Sequence, residues 1–150
     1  MRILTERLEL LPIDLDIIHS SLFKKYIKNR KNYKPYLKAL SKDSDLLGWG
    51  VWLVVSKDSN VIIGDIGFKS KPIDETVEVG YGFSPHARNK GYATESVTAL
   101  IDWAFSTSRV KKVMAHCLSD NHSSIKVLEK IGMQRTEIND ELITWNLHKV

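Results

Sequence analysis

At 150 residues, with 43% hydrophobic and 27% charged residues, the chain has the length and composition of one globular domain, and it is not disordered in character. A formal net charge of +4 is too small to imply nucleic-acid binding by itself. The opening Met1-Arg2-Ile3-Leu4-Thr5-Glu6-Arg7 puts charges where a secretory leader needs an apolar run, and no stretch reaches the ~20 apolar residues that span a bilayer. The lone cysteine, Cys117, cannot form an internal disulfide, so a reducing cytoplasm is the expected setting.

The elements follow from hydrophobic period and punctuation. Thr5 to Leu10 alternates as a strand with Leu8 and Leu10 on one face, and Pro12 ends it. Asp14 or Asp16 then caps a helix running to about Lys25. Between Lys24 and Lys38 come Lys24, Lys25, Lys28, Arg30, Lys31, Lys34 and Lys38 without an acid, interleaved with Tyr26, Tyr33 and Tyr36. This stretch is a second, broken helical segment. It is either a solvated face or a docking surface for an anionic partner such as RNA. Residues 50–56 and 61–68 are two strands of a hairpin around Lys57-Asp58-Ser59-Asn60.

A turn near Pro72 leads to Thr76–Phe83, whose alternation sets Val77, Val79, Tyr81 and Phe83 on one face and Glu78, Gly80 and Gly82 on the other. From Ala93 the period becomes helical, with Ala93, Val97, Leu100, Ile101, Ala104 and Phe105 in one stripe. Val110 to Leu118 is a strand, Val127, Leu128 and Ile131 mark a short helix that Gly132 can terminate, and Leu142 to Leu147 is a last strand. Hairpins followed by strand–helix–strand–helix predict an α/β or α+β domain over residues 1–150. Its central sheet is mixed and mostly antiparallel, with helices on both faces.

The most informative segment joins the Thr76–Phe83 strand to the long helix: Ser84-Pro85-His86-Ala87-Arg88-Asn89-Lys90-Gly91-Tyr92-Ala93-Thr94. A helix N-terminus there points unpaired amides into the loop, Gly91 permits close approach to the backbone, and Arg88 and Lys90 add positive charge. That is chemistry for a pyrophosphate; the plain alternative is a basic surface loop. The triphosphate loop is excluded because its glycines and Lys-Ser/Thr ending are absent, and Gly80-Tyr81-Gly82 lacks the third glycine of a dinucleotide fingerprint.

Arg88-Asn89-Lys90-Gly91-Tyr92-Ala93 resembles the R/Q-x-x-G-x-G/A signature of the GNAT superfamily of N-acetyltransferases. Thr5-Glu6-Arg7-Leu8 resembles the opening of the branch that acetylates ribosomal-protein N-termini. Ile63-Gly64-Asp65-Ile66-Gly67 and Glu78-Val79-Gly80-Tyr81 resemble its two central strands. Asn121-His122-Ser123-Ser124 with Glu129-Lys130-Ile131-Gly132-Met133 resembles its ending, Met133 replacing Phe. These segments keep order and spacing across the chain. Departures are Leu11, where the opening usually has Arg, and Leu128, where the superfamily's commonest general acid is Tyr.

The resemblance implies a GNAT fold, acetyl-CoA as co-substrate and no metal. It implies direct transfer to a primary amine, a protein or peptide α-amine first and a polyamine or drug-like amine second. Association with a ribosome and a monomeric or homodimeric state are further expectations, and a silent acyl-CoA-binding domain is the rival from another class. The implied cofactor contacts are Phe83, Arg88, Asn89, Lys90, Gly91, Tyr92, Ala93, Thr94 and Asn121. Amides freed where the Glu78 strand splays from the Val110–Leu118 strand would take the thioester oxygen.

Glu78, on the glycine face, is the expected base, with a plain surface glutamate as the alternative; burial in a pocket would help it accept a proton. Ser124 is the expected proton donor to the thiolate, or else a small residue packed near the ligand. Asn121 can cap a helix as well as touch ligand. The five histidines show no metal-ligand spacing with one another or with Cys117.

Overall fold

The computed structural model describes residues 1–27 and 33–150. In chain order these form β1 (Ile3–Leu4), β2 (Leu8–Pro12), α1 (Ser21–Ile27), α2 (Lys34–Lys42), β3 (Val51–Ser56), β4 (Ile62–Phe68) and β5 (Thr76–Phe83). There follow α3 (Tyr92–Ser106), β6 (Lys112–Leu118), α4 (His122–Ile131), β7 (Gln134–Asn139) and β8 (Leu142–His148). The strands make one sheet in the order β1-β2-β3-β4-β5-β6-β8-β7. All its pairings are antiparallel except that of β5 with β6, which is parallel.

Strand alternation divides the core in two. Leu8, Leu10, Trp52, Val54, Ile66, Val77, Val79, Val113 and Trp145 point to the face covered by α3 and α4, where Val97, Leu100, Ile101, Ala104 and Leu128 meet them. Ile13, Leu53, Val55 and Ile62 point to the other face, under Phe23 of α1 and Tyr33 at the start of α2. Helices on both faces are as the sequence implies. The β3–β4 register slips after Val54, where Ile63 has no partner, and this bulge lets both Ile63 and Ile66 reach the α3 side.

Several elements differ from the sequence reading. The strand read over Thr5–Leu10 is instead β2 at Leu8–Pro12 with a short β1 at Ile3–Leu4 beside it, and β6 begins at Lys112, two residues after Val110. The first helix is split: Asp14 Oδ1 accepts from the amides of Asp16 and Ile17 to open a 3-10 turn, and the Ser20 hydroxyl oxygen accepts from Phe23 N–H to open α1. β7 was not expected; all six of its residues are exposed, so it has no apolar alternation to read and is held by pairing to β8. In α3 the buried stripe takes in Ser96, whose hydroxyl donates to the Tyr92 carbonyl, whereas Phe105 is only half-buried. α4 ends as expected at Gly132, in the left-handed region at φ 98°. No described helix is long and apolar enough to cross a membrane.

Candidate active site

The feature that organises the site is a fork in the sheet. β5 and β6 pair only over Thr76–Lys112, Val77–Val113 and Glu78–Met114. Lys69 N–H donates to the Glu78 carbonyl and Ser84 N–H to the Ile63 carbonyl. Even-numbered residues of β5 therefore turn their backbone groups toward β4, and odd-numbered ones turn theirs toward β6. The Glu78–Met114 pair uses the Val79 N–H, and among the described residues the amides of Tyr81 and Phe83 beyond it face the fork with no ladder partner. The expected splay and its freed N–H groups are therefore present.

The floor beside the fork is open. A side chain begun at Gly82 would meet no heavy atom within 4 Å, and one at Gly80 would meet only the tip of Lys69. Glu78 stands on this same face, its side chain 34% exposed, and its Oε2 lies 3.2 Å from Nδ1 of His116 on β6. The sequence shows His116 as an isolated histidine; only the β5–β6 register, which puts His116 two residues past the last pair, sets it beside Glu78.

At the far end of β5 a 3-10 turn, Pro85–Ala87, leads into a loop where Asn89 (φ 60°) and Gly91 (φ 81°) are both left-handed. Gly91 occupies the N-cap of α3 and has no side chain to cap it. Among the described residues nothing is hydrogen-bonded to the amides of Tyr92, Ala93 or Thr94. A helix start with open amides and a bare glycine suits an anion. Arg88 and Lys90 are exposed, but Arg88 is partly committed: its Nε–H donates to the Phe83 carbonyl at 3.1 Å and ties the loop to the end of β5.

Asn121 does cap α4, its Oδ1 accepting from Ser124 N–H at 3.1 Å. Ser124 is half-buried and approaches Tyr81, whose hydroxyl is buried without a hydrogen bond of normal geometry. Burial pushes the Tyr81 phenol above its ordinary pKa, and the Ser124 hydroxyl offsets part of that rise. Leu128 is a core residue at 1% exposure, so the place of the missing tyrosine is filled by packing. Cys117 is buried, with the Trp145 indole N–H donating to its sulfur at 3.3 Å. No group of three or more potential metal ligands occurs among the described residues.

On the glycine face, Asp65 is buried and accepts hydrogen bonds at one oxygen, Oδ2, from the hydroxyls of Tyr26 (3.0 Å) and Tyr33 (2.9 Å). Burial first, and then Asp65, raise the Tyr33 pKa. Tyr36 packs its ring on Gly50. The three tyrosines therefore serve the interior and do not join the lysines in an aromatic-basic surface. Lys24, Lys25, Lys34 and Lys38 are exposed, and Lys28, Arg30 and Lys31 lie outside the described residues. Two surface clefts, of about 290 and 370 Å³, flank His86 beside the β3–β4 turn; neither is lined by Glu78 or by any residue of β6.

Comparison with known proteins agrees with this geometry. The uncharacterised N-acetyltransferase YjdG of Bacillus subtilis is 36% identical over 114 residues, 74% of this chain and 67% of its own length. The ribosomal-protein-S5-alanine acetyltransferase of Vibrio fischeri superposes with a TM-score of 0.75 at 19% identity, covering 99% of this chain and 96% of that one. The spermidine N-acetyltransferase of Vibrio cholerae, solved with CoA and spermine, superposes with a TM-score of 0.73 at 14% identity, covering 96% of each chain. At such identities these two show the fold alone. The acetyltransferase (GNAT) domain family matches residues 14–134, a span that takes in the forked sheet, the α3 loop and α4, and the chain belongs to that family.

Proposed function

We propose that the chain transfers the acetyl group of acetyl-CoA directly to a primary amine, and that this amine is the N-terminal α-amine of a protein or peptide. The observation that carries the reading is the fork: unpaired N–H groups on β5 and a carboxylate at its apex, with an anion-receptive helix start at its other end. The residues fit the co-substrate. The open amides of Tyr92, Ala93 and Thr94, with Lys90, suit phosphates, and the bare Gly80–Gly82 face leaves room for a slender arm. The side-chain NH2 of Asn121, which has no described partner, suits the amides of such an arm.

Acetyl-CoA, when bound, supplies the acetyl thioester that the amine attacks. Glu78 takes the proton from the amine, directly or through water, and His116 at 3.2 Å can pass it on. The N–H groups of Tyr81 and Phe83, which face the fork, meet developing negative charge on an oxygen. The Tyr81 phenol, kept neutral by burial, and the Ser124 hydroxyl are the proton donors on the α4 side of the fork. An α-amine titrates near ~8 and a lysine near ~10.4, so a modest base suffices for the former.

A polyamine is the second reading, the fold being one that a spermidine acetyltransferase also has. Exposed Lys24, Lys25, Lys34 and Lys38 weigh against it, since they repel a cation and attract an acidic peptide. The test is thiol release with peptides of acidic or neutral first residue in competition with spermidine. Peptides should win, by a margin that shrinks as salt rises from about 0.05 to 0.5 M. Saturable spermidine acetylation without peptide activity overturns the α-amine reading, and CoA binding without turnover of any amine makes the chain a silent binding domain.

A further inference from the structure

Glu95 sits in the first turn of α3, next to the open amides. A first-turn glutamate favours the positive end of the helix and competes there with any other anion. Here its carboxylate is drawn aside by the N-terminal segment. Oε2 accepts from the Thr5 hydroxyl at 2.6 Å and from Arg7 N–H at 2.9 Å, and Oε1 accepts from Arg7 Nε–H at 2.7 Å. The same guanidinium donates through Nη1 to the Lys90 carbonyl at 2.9 Å and lies 4.3 Å from the centre of the Tyr92 ring. Its Nη2 stands 3.3 Å from where a side chain at Gly91 would begin. Lys57 helps hold the segment, its amide donating to the Arg7 carbonyl at 3.0 Å and its ammonium to the Thr5 carbonyl.

We propose that Arg7 is a positioning residue of the cofactor site: it cancels the charge of Glu95 and holds that carboxylate away from the α3 amides, so that the helix start stays receptive to the phosphates of CoA. This rests on the acetyl-CoA reading above. It also gives the Thr5-Glu6-Arg7-Leu8 opening a task beyond starting a strand. Glu95 contributes the anchor to which the loop is tied, and Arg7 removes the electrostatic penalty of having an acid beside a phosphate site. A simple brace would need the contacts alone; a charge-cancelling residue makes a different prediction.

The experiment is calorimetric binding of CoA and of pantetheine, which lacks the phosphates, to wild type, Arg7→Met, Glu95→Gln and the double variant, each checked by thermal unfolding. Arg7→Met should weaken CoA about tenfold, the scale of one uncompensated charge near a phosphate, and leave pantetheine unchanged. Glu95→Gln should stay within about twofold of wild type, and the double variant should return to within about threefold, because the offending charge is gone. A double variant as weak as Arg7→Met, or an Arg7→Met protein with wild-type CoA affinity, overturns the proposal. Arg7→Lys keeps the charge without the fork and gives an independent arm: it should hold CoA within about threefold, and a tenfold loss would make Arg7 a mere brace. If wild type itself binds pantetheine as tightly as CoA, the phosphate-site reading fails instead, which this design separates from a failure confined to Arg7.

Discussion

Gly91→Val tests the loop most directly. The residue sits at φ 81°, where an L side chain costs roughly 1–2 kcal/mol, and a β-branched one lies at the upper end. Its Cβ would begin 3.3 Å from Arg7 Nη2, the end of a flexible side chain that can yield, so Cβ itself adds little. The two γ-carbons must then displace Arg7 or project over the amides of Tyr92 and Ala93. A total of about 2 kcal/mol in a domain of this size lowers Tm by about 4–8 °C, so the variant should still fold. The larger effect is on binding. Each lost charge-assisted hydrogen bond from an amide to a phosphate is worth about 1.5–3 kcal/mol, so CoA affinity should fall at least about tenfold. Thermal unfolding with and without CoA reads both terms, since saturating ligand at about 100 Kd adds about 2.7 kcal/mol to the wild type. A folded Gly91→Val with wild-type CoA affinity by calorimetry would refute the assignment of this loop to phosphate.

Four further outcomes are expected. Glu78→Gln keeps shape but cannot accept a proton, so turnover should fall roughly 10²-fold or more with CoA affinity nearly unchanged. Ser124→Ala should cost less, and the reverse order would move the chemistry to the α4 side. Gly82→Leu should fold with wild-type Tm, since no atom lies within 4 Å of the new Cβ, yet it should impair turnover by filling the open face; full activity would show that no substrate passes there. For Glu95, burial opposes ionisation but the bonds from Thr5 and Arg7 outweigh it, holding its pKa below the usual range. A depressed folded pKa means stability that is present above the unfolded value of ~4.3 and is lost as pH falls through the folded one. Tm measured from about pH 6 to 3 should therefore fall less steeply in Glu95→Gln than in wild type, and identical slopes would count against the clamp.

Much of the architecture is legible in the sequence because it rests on local periods. The alternation of Thr76–Phe83, the stripe from Val97 to Ala104 and the Gly132 stop are each set by residues a few positions apart, and the structure places those elements accordingly. The loop at Gly91 is legible for the same reason, being a strand end, a glycine and a helix start in succession. What tertiary structure decided are the meetings across long separations, which no local period encodes. Strand register sets His116 against Glu78 and stops the β5–β6 ladder at that point. Packing of the N-terminal segment on α3 brings Arg7 to Glu95, 88 residues away, and sets a charged opening beside the start of that helix. Helices closing over the glycine face give Tyr26 and Tyr33 to a buried Asp65, although along the chain those tyrosines read as companions of lysines. β7 also depends on its partner: with every residue exposed it carries no apolar signal, and backbone pairing to β8 alone makes it a strand.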